Sequence, residues 1–128
     1  MDTDYFAVGA KSNPVENTDF GGALTVLTTV DSKRHANTAA TDYGNKAMAR
    51  TTDKVKGMPW LQVTNQGAEY GGLKWERAER DVQIGDKFDI YCTRLDMSTH
   101  AYDRYYVMRG EQVVDVWPIM GRTGAAQR

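Results

Sequence analysis

One cysteine, three prolines and two histidines stand in a chain of 128 residues, and each scarcity excludes something. A lone Cys92 cannot close a disulfide within the chain or furnish a four-cysteine zinc site, and it points to a reducing, cytoplasmic compartment. Sixteen basic residues against seventeen acidic ones leave a net charge of -1. That balance offers no cationic excess for a nucleic acid and no acidic solvating tail. No apolar run approaches the roughly 20 residues of a membrane span. Met1 to Ala10 carries acidic residues where a secretory leader needs basic ones. The expectation is one soluble cytoplasmic domain without nucleic-acid or membrane partners.

What is present is enough apolar material for a packed core: 41% hydrophobic against 26% charged residues, a mix that argues against disorder throughout. Residues 1–22 are punctuated by Gly9, Asn13, Pro14, Asn17 and Gly21-Gly22 and read as a loop-rich linker. Leu24 to Val30 is β-branched and of strand length, with Leu24, Val26, Thr28 and Val30 on one face. Asn45 to Lys56 reads as a short helix on Ala47, Met48 and Val55, weakened by Thr51 and Thr52. Leu61 to Thr64 is a candidate strand, Gly67 to Gly72 a turn, and Lys74 to Ala78 an extended segment. Val82 to Asp86 turns the chain. Phe88, Ile90 and Cys92 then alternate with polar neighbours as a half-buried strand. Tyr105 to Met108 and Gln112 to Trp117 flank Arg109-Gly110-Glu111 as a hairpin. Residues 121–128 read as a fraying tail. Short strands with glycine turns predict a mainly β fold, a small β-barrel or sandwich.

Few residues carry chemistry on spacing alone. Cys92, Asp96 and His100 at i, i+4 and i+8 would align as metal ligands on a helix. Cys92 ends a strand pattern, however, so a core cysteine followed by a polar loop is the stronger reading. His35 beside Lys33 and Arg34 reads as a surface histidine in a basic loop. None of the seven lysines sits in a run apolar enough to depress an amine for Schiff-base work. Gly21-Gly22 and Gly71-Gly72 lack the spacing of a phosphate loop. Tyr102, Tyr105 and Tyr106 read as packing aromatics, any one of which has the phenol of a general acid or base.

Four segments in order resemble the C-terminal domain of the D-threonine aldolase and D-serine dehydratase family of alanine racemase-like enzymes. They are Ala23 to Val30, the Asp42-x-Gly44-x-Lys46-Ala47 element, Glu69-Tyr70-Gly71 with the later Val82 to Lys87 turn, and Tyr105 to Pro118 ending in Trp-Pro. Met1-Asp2-Thr3-Asp4-Tyr5 is similar to the Met-Asp-x-x-Tyr by which that family leaves its N-terminal barrel. The resemblance implies a 23–120 β-rich domain preceded by an α/β barrel that is absent here. That barrel holds pyridoxal phosphate and its Schiff-base lysine, so this chain alone would be inactive. It also implies a homodimer of the full-length protein, a small D-amino-acid substrate and a divalent metal. Counting back from the hairpin, Asp96 matches the second metal ligand. Arg94 stands where the family has the first, a histidine, and a guanidinium cannot ligate. Arg94, Asp96, His100 and Tyr102 are the implied active-site lining. The alternative is a stand-alone ligand-binding or interaction module derived from the same domain, and bare apolar surface would separate the two.

Overall fold

The computed structural model describes residues 23–49, 54–92 and 95–121. Their strands are β1 (Thr25–His35), β2 (Thr38–Thr41), β3 (Gln62–Gln66), β4 (Gly71–Lys74), β5 (Lys87–Tyr91), β6 (Arg104–Arg109) and β7 (Gln112–Pro118). A one-turn helix α1 (Leu95–Ser98) and a 3-10 turn (Thr99–Ala101) join β5 to β6. The fold is mainly β, as predicted. Strands β3-β4-β2-β1-β5 form one antiparallel sheet in that order, and β6-β7 form a separate hairpin. No helix among the described residues is long and apolar enough to cross a membrane.

β1 binds the sheet together because its two halves have different partners. Thr25–Thr29 pair with β5, and Val30–His35 pair with β2. Register irregularities at Val30/Ser32 and Ser32/His35 bend the strand, as bulges do, and the sheet curls into a half-barrel. The predicted buried face is found: Thr28 and Val30 are fully buried, with Leu24 and Val26 packed beside the core. The strand runs further than its apolar stretch, because the polar Asp31–His35 segment still finds β2.

The core is filled from both sheet halves by Val30, Ala39, Leu73, Val63, Phe88 and Ile90, and from the loops by Tyr43, Met48, Leu61, Trp75 and Val82. Each of the larger side chains contributes about 1.5–3 kcal/mol by leaving water. Cys92 is buried among them, as expected of a core cysteine. The turn before β5 is closed by Asp86. Its carboxylate accepts from the Gln83 N–H at 3.0 Å and from Arg80 at 2.8 Å, and these bonds hold it below the usual carboxylate range.

Three local readings are corrected. Asn45–Ala47 is a turn and not the start of a helix, because the Asn45 and Lys46 amides donate to Gly67 and Ala68 carbonyls at 2.9 and 3.0 Å. Those tertiary bonds outweigh local helix propensity. Val55 forms an isolated bridge with Ile90 instead, and Thr51 and Thr52 lie outside the described residues. Gly71-Gly72 belongs to β4, the turn being confined to Gly67–Tyr70. β4 ends at Lys74, since Trp75 turns into the core and its amide donates to Asn37 at 3.1 Å.

The segments that resemble family motifs are clasped together. Gly44 lies so close to the 68–69 backbone that a Cβ on it would sit 2.5 Å from the Glu69 carbonyl carbon. Gly71 lies equally close to Tyr43. Lys46 pairs with Glu69 at 2.7 Å, an exposed bridge worth little by itself. Asp42 ties the clasp to β1: its Oδ1 accepts from Thr28 Oγ1 at 2.6 Å and from the Thr29 amide at 2.8 Å. These glycines and this aspartate therefore do architectural work.

Candidate functional site

The segment between β5 and β6 leaves the core at Cys92, whose amide donates to the Leu24 carbonyl at 3.0 Å. It then passes through α1 and the 3-10 turn and reaches the hairpin at Arg104. Two side chains four residues apart seat it. Ser98, almost fully buried, accepts from the Ala49 amide through Oγ at 3.1 Å. Tyr102 donates its phenolic proton to the Ala47 carbonyl at 2.7 Å. Both bonds grip the 47–49 stretch just past the clasp. The motif-like glycines thus position the β5–β6 segment indirectly.

Of the predicted site residues, Tyr102 and His100 are brought to one turn of chain. His100 is exposed and Tyr102 partly so. Asp96 falls within α1. Arg94 lies outside the described residues, so its pairing with Asp96 is not described. Cys92 precedes α1 and is buried, so no helical row of Cys92, Asp96 and His100 exists. Among the described residues no three His, Cys, Asp or Glu side chains gather to hold a metal ion. His35 sits at the end of a strand and not in a loop; it is exposed and outside this segment. Ser98 was not legible as a site residue, because nothing in its neighbourhood marks a serine that receives an amide 49 positions earlier.

Partial burial pushes the Tyr102 phenol above its ordinary range, and the Cys92 thiol and Asp42 carboxylate add to the shift. The neutral, donating form is the one the fold favours. A phenol raised in the folded state contributes stability below its unfolded value of about 10, and that contribution is lost as pH rises further. Tyr102→Phe is expected to cost about 0.5–1.5 kcal/mol at neutral pH. The gap between wild type and variant should shrink above about pH 10, as read by urea melts across pH 8 to 11. A gap independent of pH would mean that the hydroxyl does not hold the segment.

A family model described as "Putative serine dehydratase domain" matches residues 23–108. No curated protein matches. Among solved structures, D-threonine aldolase from Filomicrobium marinum is 25% identical with a TM-score of 0.79, over 95% of this chain and 32% of its own. A cysteine-to-alanine variant of D-threo-3-hydroxyaspartate dehydratase in its metal-free form is 24% identical with a TM-score of 0.61, over 75% and 31%. An alanine racemase-like protein from Idiomarina loihiensis is 19% identical with a TM-score of 0.59, over 73% and 30%. The chain spans about a third of the length of the structures that it matches.

Proposed function

Because the chain belongs to this serine dehydratase domain family, we propose that it acts as the C-terminal domain of a pyridoxal-phosphate lyase for D-3-hydroxy amino acids. The type is that of D-threonine aldolase, D-hydroxyaspartate aldolase or D-serine dehydratase. On this reading residues 1–22 link to an N-terminal barrel, 23–120 form the β-rich domain and 121–128 a tail. The whole protein is a cytoplasmic homodimer. Pyridoxal phosphate, held by the barrel, supplies the electron sink for retro-aldol cleavage or dehydration. The 128-residue chain has no part in anchoring it and is inactive alone.

The observation that carries this reading is the β6-β7 arm. Tyr106, Met108, Val113, Val114, Val116 and Trp117 are all 44–62% exposed on one hairpin. A two-stranded hairpin is marginal by itself in water, and apolar side chains exposed on both its faces favour a surface that something covers. A stand-alone module would be polar there. The length of the relatives supports the same conclusion.

In this assembly the domain supplies Arg94, Asp96, His100 and Tyr102 to the active site. Tyr102 and Ser98 hold the segment in place. Arg94 brings a fixed positive charge beside Asp96, matched to a substrate carboxylate such as that of 3-hydroxyaspartate. The donor set does not suit a divalent metal, since Arg94, at the position of the family's histidine, has no lone pair to offer. No step is assigned to a metal. The test is an antibody against this domain applied to source-cell lysate. A band well above 14.3 kDa is expected. A band at 14.3 kDa would overturn the proposal and leave the stand-alone module, whereas D-threonine cleavage by the purified chain would overturn its inactivity alone.

A further inference from the structure

Successive side chains of a strand point to opposite faces unless a register irregularity intervenes. Asp31, Ser32, Arg34 and His35 of β1 line one open depression, together with Thr38, Ala40, Gly72 and Lys74 of the neighbouring strands. The two register irregularities of β1 fall within this stretch, and such irregularities are over-represented beside binding sites. Lys33 alone turns away. It pairs with Asp81 at 3.0 Å, donates to the Val82 carbonyl at 2.8 Å and lies over the Trp75 ring.

The strand registers build the rest of the depression. His35 lies across from Thr38, and Thr38 across from Lys74, so one row carries cationic and hydroxyl groups abreast. The next row is Ser32, Ala40 and Gly72, which together present almost no side-chain bulk. A charged rim therefore borders a low floor, and the space above it is about 860 Å³, in the range of small-ligand sites. The side-chain ion pairs of the described residues use Lys33, Lys46 and Arg80. Arg34 and Lys74 have no carboxylate partner there. Of the eight described lysines and arginines outside those pairs, these two line the depression.

We infer that this depression binds a small multivalent oxyanion, a phosphate ester or a polycarboxylate, gripped by Arg34 and Lys74 with Ser32 and Thr38 donating hydroxyl hydrogen bonds. Arg34 supplies the planar fork that matches two oxygens at once. Asp31 opposes one of the positive charges, so it selects for a ligand that also carries a hydroxyl or amino donor to satisfy it. The site shares no residue with the β5–β6 segment, and the inference stands whether or not the lyase reading does.

The test is NMR titration of the ¹⁵N-labelled 128-residue chain with pyrophosphate and, separately, citrate, against sodium chloride at matched ionic strength. Saturable shifts are expected at the amides of Ser32, Arg34, His35, Thr38 and Lys74. Arg34→Gln and Lys74→Gln should each weaken binding about tenfold or more, and both positions are exposed strand surface that tolerates the change. Lys46→Gln, elsewhere on the surface, should leave the affinity unchanged. Saturation by pyrophosphate alone would assign a phosphate ligand, and saturation by citrate alone a carboxylate. Shifts that stay linear and scattered over the surface, or an affinity indifferent to Arg34→Gln and Lys74→Gln, would overturn the inference.

Discussion

Gly71→Ala is expected to cost roughly 3 kcal/mol or more, a large share of the stability of an ordinary domain. A Cβ at this buried position would lie 2.3 Å from the Tyr43 ring and 2.5 Å from the Tyr43 carbonyl oxygen. The ring has no room to swing, since Tyr43 is itself fully buried in the core. The carbonyl cannot yield without disturbing the clasp, because the neighbouring Asp42 is bonded to β1. Gly67→Ala is the control. Its Cβ would meet nothing nearer than the Tyr70 oxygen at 3.5 Å, so the change should stay within about 1 kcal/mol. Chemical denaturation of the two variants measures both. A Gly71→Ala protein as stable as wild type would show that the Tyr43 contact is not a fixed point of the fold.

The second large effect concerns the β6-β7 arm. The purified chain is expected to self-associate increasingly with concentration, because water is a poor solvent for an arm that leaves Tyr106 62% and Trp117 54% exposed. The contact should be made by the faces of the hairpin and not by its β7 edge. On that edge Asp115 folds back to accept from the Val116 amide at 2.7 Å and from the Trp117 indole at 2.8 Å. It thereby occupies a backbone donor that a foreign strand would need. Tyr106 and Val116 are cross-strand partners on one face. Replacing them together, Tyr106→Lys with Val116→Glu, keeps an attractive pair within the hairpin while making that face polar. Sedimentation should then show self-association shifted toward the monomer mass of 14.3 kDa, with the melting of the five-stranded sheet unchanged. A wild-type chain that stays monomeric at the highest concentration reached would remove the main support for a missing partner surface.

The elements that could be read in advance are those whose pattern is local. Phe88, Ile90 and Cys92 alternate because one face of β5 is buried, and that alternation is visible in the letters alone. The β6-β7 hairpin was legible from Arg109-Gly110-Glu111; the turn itself is Gly110-Glu111, where Gly110 adopts φ +61°, a conformation that glycine takes without strain. Tyr43, Met48, Leu61, Trp75 and Val82 were not legible as core. They sit in loops, and their burial is decided by strands far away in sequence. The same holds for the misread helix at Asn45, where distant carbonyls claim the amides. In the β5–β6 segment, His100 and Tyr102 were singled out by resemblance to the family, whereas Ser98, which anchors the segment, had no signal of its own. Arg34 and His35 looked like an ordinary basic stretch, because a bulge leaves no mark in composition.

The divided pairing of β1 also sets an order of events during synthesis. Val30–His35 can close onto β2 as soon as the next few residues exist. Thr25–Thr29 must wait for Lys87–Tyr91, roughly sixty residues later, or about 3–12 seconds at ordinary elongation rates. Through that interval a β-branched, nearly uncharged stretch has an unpaired edge, which is the hazard that gatekeeper charges normally limit. Asp31 and Lys33 flank it on one side only. The nascent chain is therefore most vulnerable between emergence of β2 and emergence of β5, and slower translation lengthens that exposure.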